Sequence, residues 1–171
     1  DKGAYYTPKP IVHYMCQESI IEYLNTELDG DEELRAKLEA LIKKQETGGL
    51  DHWYEEILTA LKEVKVCDPA IGSGAFPMGI LQEIYQTVET INYASPDTVM
   101  ASWQMDNGVW NPAAVKKQII QNSIYGVDIE PGAVDIARLR FWLSLIMEEE
   151  EPKPLPHLDY KIVVGNSLVS K

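Results

Sequence analysis

The stretch Asp68-Pro69-Ala70-Ile71-Gly72-Ser73-Gly74-Ala75-Phe76 decides the fold predicted for this chain. Before it, residues 64 to 68 alternate in the two-residue period of a strand that ends at Asp68. After it, residues 75 to 91 place apolar side chains at helical spacing. Because Gly72 and Gly74 lack a Cβ, the backbone between the strand and the helix can approach a ligand closely.

The chemistry of this stretch suits a small zwitterion. Amide groups at a helix start favour a carboxylate, and Asp68 can accept hydrogen bonds from an ammonium group. A plain strand-to-helix connection without a ligand is the alternative. A dinucleotide site is less well matched, since Pro77 occupies the third glycine position and no acidic strand end follows about 20 residues later. A phosphate loop would need Gly-Lys-Ser/Thr, which this stretch does not have.

Two further strands are predicted, one at 124–128 that ends in Asp128 and one at 160–164 that is followed by Gly165-Asn166. Asp128, followed by Ile129, could accept hydrogen bonds from two ribose hydroxyls while Ile129 lies against an adenine face. A simple helix cap before Pro131 is the alternative reading of Asp128. Asn166, within Gly165-Asn166-Ser167-Leu168, could contact an adenine amino group or stand in a plain turn.

Helices surround these strands in the predicted organisation. Thr7-Pro8 is typical of a helix start, and breaks follow at residues 29–31 and at Gly48-Gly49, so residues 1–62 are predicted to form an N-terminal helical region. A turn-rich loop is expected from Ser95 to Gly108, a helix from Asn111-Pro112 to Gln121, and another from Pro131 to Met147. Strands that alternate with helices predict an α/β fold with a parallel sheet over residues 63–171, and a ligand crevice at the carboxyl ends of its strands.

Composition restricts the function further. The 171 residues carry a formal net charge of −12, which argues against this chain being the main surface that binds nucleic acid phosphates. Cys16 and Cys67 are predicted to be reduced core thiols, and the acidic runs are predicted to be solvated rather than metal sites. No apolar run is long enough for a membrane span and no signal peptide is evident, which predicts a cytoplasmic protein. Because the chain begins with Asp1 and stops at Lys171 after a strand-like run, we expect it to be a piece of a longer protein.

Taken in order, four segments resemble the adenine-N6 DNA methyltransferases of restriction-modification systems, especially the large type IIG-like enzymes that fuse restriction and methylation. Gly3–Pro8 is similar to their amino-terminal cofactor motif, Asp68–Phe76 to their glycine-rich motif, and Tyr125–Pro131 to their ribose-binding motif. Gly165–Leu168 is similar to their adenine-contacting motif, and the resemblance covers most of the chain.

The resemblance implies a class I, Rossmann-like methyltransferase fold and S-adenosylmethionine as the cofactor. It implies that the first segment closes over the methionine end of the cofactor, the second lines that end, and the last two hold the nucleoside. The implied cofactor residues are Tyr6, Thr7, Pro8, Asp68, Pro69, Ala70, Gly72, Gly74, Phe76, Asp128, Ile129, Asn166, Ser167 and Leu168. It assigns no role to the stretch between Ile91 and Asn111.

The catalytic motif of that family, Asn/Asp-Pro-Pro-Tyr/Phe, does not occur in this sequence. Asn111-Pro112-Ala113-Ala114 lacks the second proline and the aromatic residue, and is typical of a helix cap. We therefore assign no catalytic residue and expect the chain alone to be inactive, with DNA bound by other parts of a longer protein. The family's fourth strand would be missing, which predicts that the first strand is an open edge and that the chain self-associates through it or covers it with a loop. RNA or protein as the substrate, and a scaffold without cofactor, are the alternatives.

Overall fold

The computed structural model describes residues 8–68, 75–103, 105–128 and 162–164, with side chains described within 8–65 and 76–122. Helices dominate the described residues. In chain order the elements are α1 (Lys9–Glu27), α2 (Glu32–Lys44), α3 (Tyr54–Glu63), β1 (Val66–Asp68), α4 (Ala75–Ala94), α5 (Pro96–Ser102), α6 (Pro112–Ser123), β2 (Ile124–Asp128) and β3 (Ile162–Val164). Short 3-10 turns lie at Asp51–Trp53 and Asp106–Gly108.

Local sequence signals explain where α2 begins and ends. The Asp31 carboxylate accepts a hydrogen bond of 2.8 Å from the backbone N–H of Leu34, which satisfies one of the free donors at the helix start. Acidic residues stand in the first turn and lysines in the last, as the helix dipole favours. Gln45 then takes a left-handed conformation with φ of 55°, and the helix ends.

Prolines lie at the starts of three other helices, α1, α5 and α6. Pro8 precedes α1 as its N-cap, one position later than the predicted cap Thr7, which lies outside the described residues. Asn111 caps α6 as predicted, through a hydrogen bond of 3.2 Å from the backbone N–H of Ala114 to its side-chain oxygen. The prediction of a loop from Ser95 to Gly108 is wrong for the first half of this segment, which forms α5. That helix buries Val99 completely and is followed by Trp103, which is 1% exposed.

One hydrophobic core joins α1 to α6. The core includes residues from the predicted N-terminal helical region, 1–62, and from the predicted domain at 63–171. The boundary between these two regions remains a prediction. Ion pairs cover the outer side of the α1–α2 contact, where Lys43 lies 2.7 Å from Glu18 and Arg35 lies 2.5 Å from Glu22. The core's largest fully buried side chains are Trp103, Ile20, Ile21, Leu24, Leu38, Leu41, Ile42, Leu50, Ile57, Leu58 and Leu61.

The predicted fold class, a Rossmann-like α/β domain built on a parallel sheet, is wrong for the part of the chain whose side chains are described. Those residues form helices and loops and include no strand. The described backbone of β1, β2 and β3 pairs in parallel in that order, over 3, 5 and 3 residues. The described helices bury their apolar faces on one another, above all α1 on α2 and α4. The core that can be described is therefore helical.

β1 lies at one edge of the three strands. It pairs with β2 and with no other strand among the described residues. An edge strand leaves backbone donors and acceptors free to pair with another chain. Self-association through this edge remains a prediction.

Candidate functional site

The carboxyl ends of the three strands lie along the same edge. In the register of the pairs, Asp68 stands level with Gly126, and Asp128 stands level with Val164. Asp68 and Asp128 are thus neighbours on adjacent parallel strands, offset by two residues. With ordinary strand spacing and rise, their Cα atoms are roughly 8 Å apart. Two acidic residues therefore end adjacent strands within reach of one small ligand.

The start of α4 follows the end of β1 after residues 69–74. No acidic side chain stands in the first turn of α4, so no carboxylate of that turn offsets the positive end of the helix dipole. Phe76, in this first turn, is half-buried and packs against the core. Its carbonyl oxygen accepts a hydrogen bond of 3.6 Å from the Cys16 thiol of α1. The first turn of α4 is thus anchored to α1.

Four of the fourteen predicted cofactor residues are among the described ones. Asp68 and Asp128 come together at one edge, Phe76 contacts α1, and Pro8 lies exposed where α1 begins. The other ten lie outside the described residues and remain predictions: Tyr6, Thr7, Pro69, Ala70, Gly72, Gly74, Ile129, Asn166, Ser167 and Leu168.

A close contact between α1 and α4, which we call the α1–α4 seam, consists of His13, Cys16 and Gln17 on α1 with Phe76, Gly79 and Glu83 on α4. At Gly79 a Cβ atom would lie 2.6 Å from the Cys16 sulfur, so only glycine fits there without a shift. Burial raises the pKa of the Cys16 thiol to about 12, with the nearby Glu83 carboxylate adding to the rise. Cys16 is therefore an inert, reduced core thiol, as predicted.

Glu83 is a buried carboxyl group in this seam. Its side chain is 4% exposed, and its Oε1 lies 3.3 Å from the Nδ1 of His13, whose side chain is 62% exposed. Its Oε2 is buried without a hydrogen-bond partner. Burial raises the pKa of Glu83, while His13 and the amide of Gln17 act in the opposite direction.

The sequence analysis missed this seam. The signal was available in α4, where Glu83 stands in the apolar stripe formed by Ile80, Ile84 and Ile91. A carboxylate in an apolar stripe requires a partner from another element. That the partner is His13 could not be read from the sequence, because 70 positions separate the two residues.

No group of metal ligands is present in the described parts of the chain, where three or more His, Cys, Asp or Glu side chains would have to meet. None of the described helices combines the length and the apolar character needed to cross a membrane.

Comparison with known proteins finds a relative that aligns with almost the whole chain. The chain is similar to a protein of Methanocaldococcus jannaschii named as a candidate type II restriction enzyme and methyltransferase, with 33% identity over an alignment of 181 residues. The alignment covers 98% of this chain and 14% of that protein, so the chain spans about one seventh of the relative's length. No family model and no solved structure matches the chain.

Proposed function

We propose that this chain is the S-adenosylmethionine-binding portion of a methyltransferase of a restriction-modification system, which methylates the N6 amino group of adenine in DNA. The observation that carries the proposal is that Asp68 and Asp128 end adjacent parallel strands at one edge. The name of the relative, a restriction enzyme and methyltransferase aligned over 98% of the chain, supports the same chemistry.

The chemistry of S-adenosylmethionine supports the proposal. S-adenosylmethionine has an ammonium group and two ribose hydroxyls, which are donors that suit the carboxylates of Asp68 and Asp128. Its carboxylate suits the positive end of a helix, and the first turn of α4 has no acidic side chain of its own. When bound, the cofactor supplies a methyl group on a positively charged sulfur. The role of this chain is to bind the cofactor and to orient it.

Adenine N6 as the acceptor rests on the family resemblance of the four segments. The catalytic motif is not in this sequence, so we expect this chain to bind the cofactor without methylating DNA by itself. The acceptor is tested in cells that carry the complete gene, by nucleoside analysis of their DNA and RNA. N6-methyladenine in DNA is the expected product, whereas a methylated RNA base alone, or no N6-methyladenine in DNA, would contradict the adenine assignment.

Cofactor binding is tested by calorimetry with S-adenosylmethionine and S-adenosylhomocysteine. Because hydrogen bonds to a charged group contribute about 1.5–3 kcal/mol, Asp128→Ala should weaken binding about 10- to 100-fold. Asp97→Ala is the matched control, since Asp97 is an exposed residue of α5, a helix that packs on α3 and α4, and should leave binding unchanged. The proposal fails if neither ligand binds the unmodified chain at millimolar concentration, or if Asp128→Ala binds as tightly as the control.

A further inference from the structure

The outer side of α1 changes its character along the helix. Toward the end of α1, Glu18 and Glu22 form ion pairs with residues of α2, as expected for the solvated side of a helix. Toward its beginning, Ile11, Tyr14 and Met15 are 50%, 59% and 46% exposed. Tyr14 and Met15 follow Ile11 by three and four positions, so the three side chains lie together on one side of the helix. We call these three side chains the α1 face.

The opposite side of α1 is already buried in the core. Cys16 is completely buried and lies against Gly79 of α4, and Ile20 is buried one turn later. The first half of α1 therefore has apolar side chains on both its inner and its outer side. A helix that is apolar all round is typical of a buried position, because burial removes apolar surface from water.

The α1 face has the composition of an interface. Of the five most exposed large apolar side chains among the described residues, three belong to it, whereas Tyr93 and Val109 are single residues elsewhere in the chain. Single exposed apolar residues are ordinary, but a contiguous apolar patch is typical of a contact site. Residues 8–17 contain no carboxylate, although the chain has 27 acidic residues. Aromatic residues and methionine are enriched at the centre of protein interfaces, and charged residues are depleted there.

We propose that the α1 face is an interface covered by an apolar surface on another domain of the same, longer polypeptide. The relative from Methanocaldococcus jannaschii extends far beyond the aligned part, and chains of such length divide into several domains. A second copy of this chain fits less well, because two chains with a net charge of −12 repel each other. Lys9, which is exposed in the first turn of α1, suits a covering surface with carboxylates at its rim.

The test labels exposed side chains with hydroxyl radicals and locates the labels by mass spectrometry. It compares the 171-residue chain with the complete protein that its gene encodes. In the chain alone, Tyr14 and Met15 should react readily. In the complete protein their labelling should fall at least about fivefold, as expected when half-exposed side chains enter the centre of an interface. The fall should not depend on protein concentration, because the covering domain belongs to the same polypeptide.

A pair of substitutions gives a second measurement. Tyr14→Asp places a charge in the α1 face, so in the complete protein it should restore the labelling of Met15 to the level seen in the chain alone. Tyr93→Asp is the matched control, because Tyr93 is an 83% exposed tyrosine of α4 outside the α1 face, and it should leave that labelling low. In the 171-residue chain, both variants should keep the urea midpoint of the unmodified chain, since both rings are exposed.

Several results would overturn the proposal. Equal labelling of the α1 face in both proteins would mean that nothing covers it, and protection in both would mean that residues of this chain cover it. Protection that appears in the 171-residue chain only at high concentration, together with a dimer in sedimentation, would assign the face to a second copy. A complete protein without a further domain would also overturn it. None of these measurements uses S-adenosylmethionine, so they do not depend on the proposed cofactor site.

Discussion

The close contact of α1 and α4 at Gly79 can be tested by adding a single methyl group. In Gly79→Ala the new Cβ would lie 2.6 Å from the Cys16 sulfur, whereas Cys16 Cβ and Val12 Cγ1 are at an ordinary 3.7 Å. Cys16 is completely buried, so its sulfur has no solvent-filled space to move into. The clash must be relieved by a shift of α1 on α4.

Two opposing effects set the magnitude. Overpacking a buried contact costs about 1–3 kcal/mol. Replacing glycine by alanine inside a helix contributes about 1 kcal/mol of stability in return. Gly79→Ala alone should therefore lower the free energy of unfolding by about 1 kcal/mol. In a Cys16→Ala background the sulfur is gone, so the same substitution should raise it by about 1 kcal/mol.

The assay is urea denaturation of the four members of this double-mutant cycle. The coupling energy between positions 16 and 79 should equal the overpacking cost, about 1–3 kcal/mol. Gly48→Ala is the control, because a Cβ there meets no atom within 4 Å. It should stabilise the chain by about 0.4–1 kcal/mol, whichever residue stands at position 16. If Gly79→Ala is stabilising in both backgrounds, α1 and α4 do not meet as described.

Two further predictions concern stability. Burial raises the pKa of Glu83, so the folded chain holds this proton more tightly than the unfolded chain, and the stability contributed is present at acid pH and lost as pH rises through the raised pKa. Glu83→Gln should therefore stabilise the chain most at alkaline pH, as measured by urea denaturation across the pH range. A difference in the free energy of unfolding between the variant and the unmodified chain that is constant, or that widens toward acid pH, would contradict this. Asn111→Ala should lower the free energy of unfolding by about 1 kcal/mol because Asn111 caps α6. Ser95→Ala should change the free energy of unfolding by less than about 0.5 kcal/mol. The reason is that the Ser95 hydroxyl makes no cap bond to the backbone of α5 and meets the Thr98 hydroxyl instead. Equal costs for the two substitutions would argue against the described caps.

Helix boundaries were the most predictable part of the fold. The break after α1, the break at Gly48-Gly49 and the start of α6 all follow from turn and capping residues close by in sequence. The same signals misled at α5, where Ser95, Pro96 and Asp97 suggest a turn. That segment is helical because Val99 enters the core, which is a tertiary gain that local composition does not report.

The candidate site was predictable only in part. The sequence predicts that Asp68 and Asp128 end strands, and the described backbone of β1 and β2 reaches these two residues. The seam of His13 and Glu83 was missed because the two residues are distant in sequence and each has an ordinary local explanation as a helix residue.

The glycine-bearing stretch Asp68–Phe76 shows which features depend on the sequence alone and which depend on tertiary structure. The sequence by itself determined that a strand ends at Asp68 and that a helix begins at Ala75, because both depend on local period and turn chemistry. Tertiary structure decided that the described core is helix packed on helix. Which apolar face covers which depends on the areas that α1, α2 and α4 can bury together, and that is a property of the assembled chain.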